Sequence, residues 1–277
     1  MFAKTLNEKN VDLVPLAIVG AVGDVQDFSG KLIGLNSEIV KIGIESGFVK
    51  VENDLRLYGR VSRPLVQFLM FSTSPMIPQL TANEDNCLKF LQENAIELKQ
   101  GERFRTYIDL TLEEKKTLAT ALVLHLHSFN VPEWKIAELF GAVYLFPREN
   151  SKWPTSESKE FSTLLNACGR HGQAEIGIEV CLGDRSEHYM TAMSLMQEHR
   201  RQLREGIEFV KQNQKERNDF HEQCLFFHDG RRQINRFQIL LLNMRAAQSQ
   251  NPQKHNFFQG LLFAPLFRDR VVLPKFL

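Results

Sequence analysis

Residues 17–36 read AIVGAVGDVQDFSGKLIGLN, an apolar run that ends abruptly on Asp24. Pro15, just before this run, and the glycines within it argue against a stable helix interior. A short buried strand and a tightly packed glycine-rich helix both fit the pattern. In either case Asp24 lies at the edge of a buried element. A carboxylate there can bind a hard divalent metal ion, or it can cap a helix or turn through nearby backbone N–H groups.

The chain has 277 residues, which is enough for one large domain or two small ones with a substantial core. Its hydrophobic content of 43% and charged content of 24% are typical of a globular protein. The net charge of +1 excludes a global positive field that attracts nucleic acid or anionic lipid. A nucleic-acid role therefore requires a local basic patch.

The cysteines and the hydropathy pattern indicate the cellular location of the protein. The four cysteines form no C-x-x-C pair, so neither a zinc site nor a dithiol redox motif is indicated. No apolar run approaches the ~20 residues of a membrane span. The N-terminal segment MFAKTLNEKN has no apolar signal core. We therefore predict a cytoplasmic protein that does not span a membrane.

Apolar periodicity and capping residues predict a mainly helical chain. Thr111 and Glu114 form a capping-box pattern at the start of the clearest helix, and Pro64 begins another that ends near Ser72. Gly141 closes a short helix in VPEWKIAELFG. The helix that begins at Thr111 covers 111–130. The remaining predicted helices cover 35–47, 83–95, 158–169 and 186–218.

A few strands complete the predicted architecture. Residues 48–58 alternate around NDL and resemble a small hairpin, and residues 174–182 alternate well enough for a strand. The polar stretch 147–160 contains two prolines and is interpreted as a linker or exposed loop, and as the best internal boundary. We predict an α/β or α+β protein built as two lobes.

Two clusters of polar residues are candidates for substrate binding. Asn166 and Arg170 share a face of a predicted helix, and Arg170 and His171 lie between two glycines that allow close approach of a ligand. Arginine is suited to bidentate phosphate recognition. The alternative is a glycine C-cap followed by a solvated arginine and histidine. Arg60 and Arg63, three residues apart, either clamp phosphates or lie on a solvated surface.

Two further patterns are interpreted conservatively. The helix over 186–218 has a basic side that includes Arg200, Arg201 and Arg204, for which a solvated face is the default and a nucleic-acid track is the alternative. His125 and His127 are two residues apart on a helix, so they point to different faces and form a poor metal pair. Neither pattern defines a site by itself.

Several segments in order resemble the archaeal RecJ-type proteins, single-strand-specific exonucleases of the DHH phosphoesterase superfamily. The resemblance runs from about residue 2 to about residue 232. It is carried by the strings LAIVGAVGDVQD, GLNSEIVKIGIESG, LRLYGRVSRPLVQFL, FSTLLNACGRHG, IGIEVCLGDR and HRRQLREGIEFV.

The resemblance implies an α/β fold with four regions. Residues 1–30 correspond to the end of a DHH phosphoesterase domain, and 31–150 to a mainly helical connecting region. Residues 151–235 correspond to a partial DHHA1-like substrate-binding lobe, and 236–277 form an atypical tail. The family hydrolyses phosphodiester bonds with two metal ions, usually Mn²⁺ and alternatively Mg²⁺.

The resemblance also assigns the candidate residues. Asp24 becomes one metal ligand, because VGAVGD is similar to the last metal motif of the family. Asn166, Arg170 and His171, in NACGRHG, are placed on the substrate phosphate, and Arg60 and Arg63 are further substrate-binding candidates. The expected substrate is single-stranded DNA or RNA in replication and repair.

The chain departs from the family pattern in two places. It contains no Asp-His-His string, and after about residue 232 it lacks the Gly-Gly-His type motif of the DHHA1 lobe. One carboxylate does not bind two hard divalent ions tightly, because such ions take about six ligands. We therefore expect a fragment or truncated form of a RecJ-like exonuclease with little or no nuclease activity of its own. The alternative is a non-catalytic module that binds a replicative helicase complex of the GINS type.

Overall fold

The computed structural model describes residues 2–72 and 75–215. The atypical tail predicted for 236–277, the end of the DHHA1-like region at 235 and the last residues of the helix predicted to reach 218 lie outside the described residues. Among the described helices, none is long and apolar enough to cross a membrane.

Helices make up most of the described chain, as the sequence predicts. They are α1 (Phe2–Leu6), α2 (Val14–Gly23), α3 (Leu35–Glu45), α4 (Leu65–Met70), α5 (Glu84–Glu93), α6 (Leu112–Ser128), α7 (Glu133–Ala137), α8 (Ser158–Arg170), α9 (Ala174–Cys181) and α10 (Glu187–Lys215). The capping box at the start of α6 is confirmed, because Thr111 accepts from the Glu114 backbone and Glu114 accepts from the Thr111 backbone.

Short strands β1 (Lys50–Leu55) and β4 (Phe140–Leu145) pair antiparallel, from Lys50 opposite Leu145 to Leu55 opposite Phe140. The strands β2 (Lys99–Gln100) and β3 (Arg103–Phe104) form a second, two-residue ladder. The hairpin predicted within 48–58 is wrong. Its alternating residues form the single strand β1, whose partner comes from far along the chain.

In the described part of the chain the buried apolar residues form two hydrophobic cores, and each includes a residue of the β1–β4 ladder, Leu55 in the first and Tyr144 in the second. The first contains only residues between 55 and 139, from α4, α5, α6, α7 and the segments between them. Its largest fully buried side chains include Leu55, Phe68, Leu69, Leu91, Tyr107, Leu118 and Leu122. The second core combines residues 14–49 with residues 144–196. The chain therefore leaves the second core, builds the first, and returns through β4.

The second core packs α2 against α8 and α3. The sequence left strand and helix open for 13–23, and the structure shows the helix α2. Pro15 lies in its first turn, where the missing N–H costs no helical hydrogen bond. Gly23 lies directly against the Ser162 side chain, so a Cβ there would collide with the Ser162 hydroxyl. This glycine allows two helix backbones to approach closely.

The strand predicted for 174–182 is also wrong, because these residues form α9. Ile176, Ile178 and Val180 alternate in sequence, which is typical of a strand. In the structure, however, Ile178 is 58% exposed, while Gly177 and Val180 are buried three residues apart. That interval is helical, and it places α9 against Cys168 of α8.

The stretch 147–160 is not an exposed loop throughout, because residues 154–158 are all buried. The Phe146 N–H donates to the Ser156 carbonyl at 2.9 Å, and the Glu157 side chain accepts from the backbone N–H groups of Lys159 and Glu160 at the start of α8. The second core includes residues on both sides of this stretch. The predicted domain boundaries themselves stay predictions.

Gly141 does not close a helix, since α7 ends at Ala137 and Gly141 lies within β4. A Cβ at Gly141 would collide with the Gly30 carbonyl and would lie 2.6 Å from Arg56 Cδ. The next residue, Ala142, donates its N–H to the Gly30 carbonyl at 2.8 Å. The glycine is thus required by a close approach between β4 and the loop that follows α2.

Candidate functional site

Asp24, the predicted metal ligand, is exposed at the C-terminal end of α2. Its backbone N–H donates to the Gly20 carbonyl at 3.0 Å, and its Oδ2 accepts from Gln26 Nε2 at 2.9 Å. Gln26 Oε1 in turn accepts from Asn36 Nδ2 at 2.6 Å. The Gln26 side chain therefore links the Asp24 carboxylate to Asn36 at the start of α3. The role of Asp24 as a metal ligand stays a prediction.

Asp27, three residues later, is buried instead of exposed. Its carboxylate pairs with Arg56 Nη2, whose guanidinium also donates to the Asp27 carbonyl at 2.6 Å. Lys159 Nζ lies 3.9 Å from Asp27 Oδ2 and donates to the Arg56 carbonyl at 3.0 Å. Burial lowers the pKa of Lys159, and the Asp27 charge partly offsets this effect. These three charged groups line a cavity of about 10 Å³.

Arg60, a candidate phosphate ligand, is only 2% exposed and bound within the first core. Its Nη1 donates to the Leu55 carbonyl at 2.6 Å, and its Nη2 donates to Asp54 Oδ2 at 2.7 Å. Its guanidinium carbon lies 4.5 Å from the centre of the Tyr107 ring. Burial alone would raise the pKa of Asp54, but Arg60 and the Tyr107 hydroxyl hold it below its ordinary value. These contacts stabilise the fold, and the phosphate contact of Arg60 stays a prediction.

Arg63 has a different environment from Arg60. Its guanidinium carbon lies 4.6 Å from the centre of the Tyr58 ring and 4.8 Å from that of Phe71. Burial lowers the pKa of Arg63 to about 10, and the positive charge of Arg200 adds to this shift. At neutral pH the side chain remains charged.

Arg200, which the sequence assigned to a solvated helix face, contacts the same loop. Its Nη2 donates to the Tyr58 hydroxyl at 2.6 Å and to Ser62 Oγ at 2.8 Å. Glu160, in the first turn of α8, accepts from the backbone N–H of Val61 at 2.6 Å. Residues 58–63 are therefore held by side chains from both α8 and α10.

Asn166 and Arg170 both lie on α8, four residues apart, so the predicted shared face is confirmed. Asn166, Arg170 and His171 are all half-buried. The His171 ring lies perpendicular to the His199 ring with centroids 6.2 Å apart. His171 Nε2 is buried and has no hydrogen-bond partner among the described residues. Their contact with a substrate phosphate stays a prediction.

The helix α10 is the element that links the two candidate groups. His199 faces His171 at the end of α8, and the next residue, Arg200, contacts Tyr58 and Ser62. Sequence reasoning missed this because Arg200 and Tyr58 are 142 residues apart. The dense arginines of the helix were visible, but only the folded chain shows which one turns inward.

Each histidine of α6 contacts a group from another segment. His125 Nε2 lies 2.8 Å from the Pro78 carbonyl, and His127 Nε2 lies 3.6 Å from a Glu133 carboxylate oxygen. Within residues 2–72 and 75–215, no group of three or more His, Cys, Asp or Glu side chains is arranged to hold a metal ion.

Comparison with known proteins identifies the region of the first core. Residues 57–140 match the DHH-CID domain. The match coincides with the core built from residues 55–139, and it lies within the region 31–150 that was predicted as a helical connection. It supports the DHH part of the predicted resemblance. The DHHA1-like lobe stays a prediction.

The chain is also similar to an uncharacterized protein, MJ0831, of the archaeon Methanocaldococcus jannaschii. The two are 32% identical over 200 residues, which is 72% of this chain and 41% of that protein. The chain thus spans about two fifths of the length of the curated relative that it matches.

Proposed function

We propose that this chain is part of a RecJ-like, metal-dependent phosphodiesterase that acts on single-stranded nucleic acid in replication or repair. The observation that carries the proposal is the DHH-CID domain at residues 57–140, which has a hydrophobic core of its own. A DHH-family domain points to phosphoesterase-related chemistry. The exonuclease activity, the nucleic-acid substrate and the role in repair are the proposed refinement.

Asp24 is the residue of this chain that would contact the metal. Its carboxylate lies exposed at the C-terminal end of α2, where the helix dipole is negative, so a cation there would offset both charges. Carboxylate oxygen suits Mn²⁺ or Mg²⁺, but a single carboxylate is too few ligands for two ions. The described residues alone do not fit such a centre, and no hydrolytic step is assigned to them.

Binding of the substrate is the part that the described residues can supply. Asn166 and Arg170 on one face of α8, followed by His171, offer an amide, a guanidinium and an imidazole to a phosphate. Arg63 offers a second guanidinium beside two aromatic rings. Guanidinium groups recognise phosphate oxygens in a bidentate manner, and aromatic rings suit unpaired bases.

A second candidate function is a non-catalytic module that binds a protein partner in a replicative helicase complex of the GINS type. It is favoured by large apolar side chains exposed on the DHH-CID domain. Among the described residues these are Phe71, Met76, Phe104, Leu112, Leu124, Phe129 and Trp134, each exposed by 37% or more. Where such side chains form one contiguous patch, they mark a protein interaction surface.

One pair of assays separates the two functions. Fluorescence anisotropy in EDTA measures binding of the purified chain to labelled oligo(dT), oligo(U) and duplex DNA. A gel assay with MnCl₂ measures cleavage of the same strands. We expect the single strands to bind more tightly than the duplex, with little or no cleavage.

Two results would contradict parts of this proposal. If the single strands bind no more tightly than the duplex, or do not bind at all, the proposed role in binding single-stranded nucleic acid is contradicted. The protein-binding module then remains as the candidate function. Clear manganese-dependent cleavage would show that the chain completes a metal centre by itself. The variant Asp24→Asn, followed by Mn²⁺ electron paramagnetic resonance, would then show whether Asp24 is one of the ligands.

A further inference from the structure

Arg63 has its guanidinium against two aromatic rings. Among the described residues, no carboxylate oxygen lies within 4.0 Å of it, and its contacts are the faces of Tyr58 and Phe71. The rings hold the planar group in place without neutralising its charge. Burial of a charge that is not paired costs free energy, which an arriving anion would recover.

A second guanidinium, that of Arg200, shares the Tyr58 side chain. Its carbon lies 5.5 Å from the centre of the Tyr58 ring, against 4.6 Å for Arg63. Its Nη2 donates to the hydroxyl oxygens of Tyr58 and Ser62, while its Nε is buried with no hydrogen-bond partner in the part of the chain that the structure describes. Two like charges therefore lie around a single aromatic ring.

The anionic group that acts on both arginines is Glu160. Its Oε1 is occupied by the backbone N–H groups of Val61 and Ser62, at 2.6 and 3.3 Å. Burial, with the neighbouring Glu157, raises the pKa of Glu160. Within residues 2–72 and 75–215, one carboxylate thus acts on two guanidinium groups, and the cluster has an excess of positive charge.

The hydroxyl groups add donors to the cluster. Because the oxygens of Tyr58 and Ser62 both accept from Arg200, their own protons point elsewhere. The loop thus presents hydroxyl donors together with guanidinium N–H groups. A phosphate group, with several strong acceptor oxygens, matches such a set better than a carboxylate does.

We propose that Arg63 and Arg200, with the hydroxyls of Tyr58 and Ser62, form a binding site for a backbone phosphate of single-stranded nucleic acid. The inference rests on the proposed function and deepens it by adding Arg200, Tyr58 and Ser62 to the substrate contacts. The site is composite, because the loop belongs to the DHH-CID domain and Arg200 belongs to α10. A strand bound here contacts both parts of the protein.

The test compares Arg63→Gln and Arg200→Gln with two matched controls. Arg148→Gln removes an exposed arginine that stacks on Phe48 at 3.5 Å, and Arg201→Gln removes the neighbouring arginine of α10, which pairs with Glu198. Anisotropy with labelled oligo(dT) is measured over a range of NaCl concentrations. Circular dichroism checks that each variant is folded. Arg63→Gln is the variant less expected to disturb the fold, since the Arg63 guanidinium donates no hydrogen bond to the described residues.

We expect each site variant to weaken oligo(dT) binding by about fivefold or more, and each control by less than about twofold. The slope of log K against log salt should fall by about 0.7 for the site variants, since one phosphate contact is lost. A merely structural role would not change that slope. Arg63→Lys should restore the slope, because it keeps the charge, but only part of the affinity, because it loses the planar fork.

A second measurement separates the site from the proposed function. In ¹H–¹⁵N spectra of the whole chain, inorganic phosphate should shift the Nε–H signals of Arg63 and Arg200, and should leave that of Arg148 in place. If the chain binds oligo(dT) but the site variants behave like the controls, this inference is wrong and the proposed function stands. If phosphate shifts the two signals but oligo(dT) does not bind, the site takes free phosphate and the proposed function fails. If neither binds, both are wrong.

Discussion

The Val61 backbone N–H donates a 2.6 Å hydrogen bond to Oε1 of Glu160, which joins the start of the DHH-CID domain to the first turn of α8. The same oxygen accepts from the Ser62 N–H at 3.3 Å, and Glu160 is fully buried. The carboxylate oxygen therefore serves as the acceptor for two backbone N–H groups, a role that backbone carbonyls have in helices and strands. Its loss would affect the fold and the loop that carries Tyr58 and Arg63.

Replacing Glu160 by alanine should lower the free energy of unfolding by about 1–3 kcal/mol, because buried backbone donors lose their acceptor. Glu160→Gln keeps an acceptor oxygen and should cost less. Urea denaturation at neutral pH, followed by circular dichroism, measures the difference. Equal stability of Glu160→Ala and the wild type would show that water replaces the carboxylate at no cost.

The pH dependence of Glu160→Gln provides a separate prediction. The folded protein raises the pKa of Glu160 above its ordinary 4.5, so the native state holds this proton more tightly than the unfolded state. The contribution of Glu160 to stability is therefore largest below pH 4.5 and declines as the pH rises through the raised pKa. Above pH 4.5 the wild type should lose stability relative to Glu160→Gln. A constant difference between the two proteins would contradict the raised pKa.

The contribution of Glu114 to stability should depend on pH in the opposite direction to that of Glu160. Both guanidinium Nη atoms of Arg105 donate to its carboxylate at 2.7 Å, and these bonds are the main reason that its pKa falls to about 2. This contribution is present in full above the ordinary value of 4.5 and is lost as the pH falls towards about 2. Glu114→Gln should cost about 1–2 kcal/mol at neutral pH and much less at low pH.

The control for Glu114 is Glu113, the adjacent acid on α6. Glu113 is mostly exposed and forms its described ion pair with Lys116, so Glu113→Gln should change stability by less than about 0.5 kcal/mol at any pH. Urea midpoints near neutral pH and near pH 3 measure both variants. A pH-independent loss in Glu114→Gln would mean that the capping geometry matters and the ion pair with Arg105 does not.

Gly43 and Gly20 should respond oppositely to the same substitution. A Cβ at Gly43 would lie 2.5 Å from Val49 Cγ2 and 2.7 Å from Val14 Cγ1, so Gly43→Ala should destabilise the second core by about 1–3 kcal/mol. Gly20, inside α2, has nothing within 4 Å of its Cβ position, so Gly20→Ala should stabilise by about 0.5–1 kcal/mol. Thermal denaturation measures both. A stable Gly43→Ala would show that α3 can shift away from Val14 and Val49.

Asp24 and Asp27 should differ sharply although they are three residues apart. Asp27→Asn removes the carboxylate from the buried Arg56 side chain and should cost about 2–4 kcal/mol. Asp24→Asn should change stability by less than about 0.5 kcal/mol, because Asp24 is exposed and its described side-chain bond is to Gln26. Urea denaturation without divalent metal gives both values. A large loss in Asp24→Asn would assign Asp24 a structural role.

The local structure of this protein could be predicted from local patterns. Thr111 and Glu114 mark the start of α6 because a capping box satisfies backbone donors within four residues. The alternation at 48–58 was interpreted as a hairpin and not as the single strand β1, because Lys50 pairs with Leu145 and no local signal specifies so distant a partner. For α9, an alternation of three apolar residues fits both periods, and packing against α8 decides between them.

For the candidate site, too, the sequence showed local patterns but not the contacts between distant residues. The sequence singled out Arg60 and Arg63 together, but only the fold separates them, since Arg60 is bound to Asp54 inside the first core and Arg63 lies between two rings. Arg200 could not be distinguished from Arg201 by sequence, because which of two consecutive helix residues faces inward depends on how α10 packs.

The β1–β4 ladder has a consequence for the order in which the protein forms during synthesis. Residues 55–139 hold every buried member of the first core, so this part can fold as soon as it has left the ribosome. The second core has to wait for α8, α9 and α10. Folding of the first part brings Leu55 and Phe140 side by side, which shortens the loop that the later helices must close. We therefore expect the first core to form before the second during synthesis.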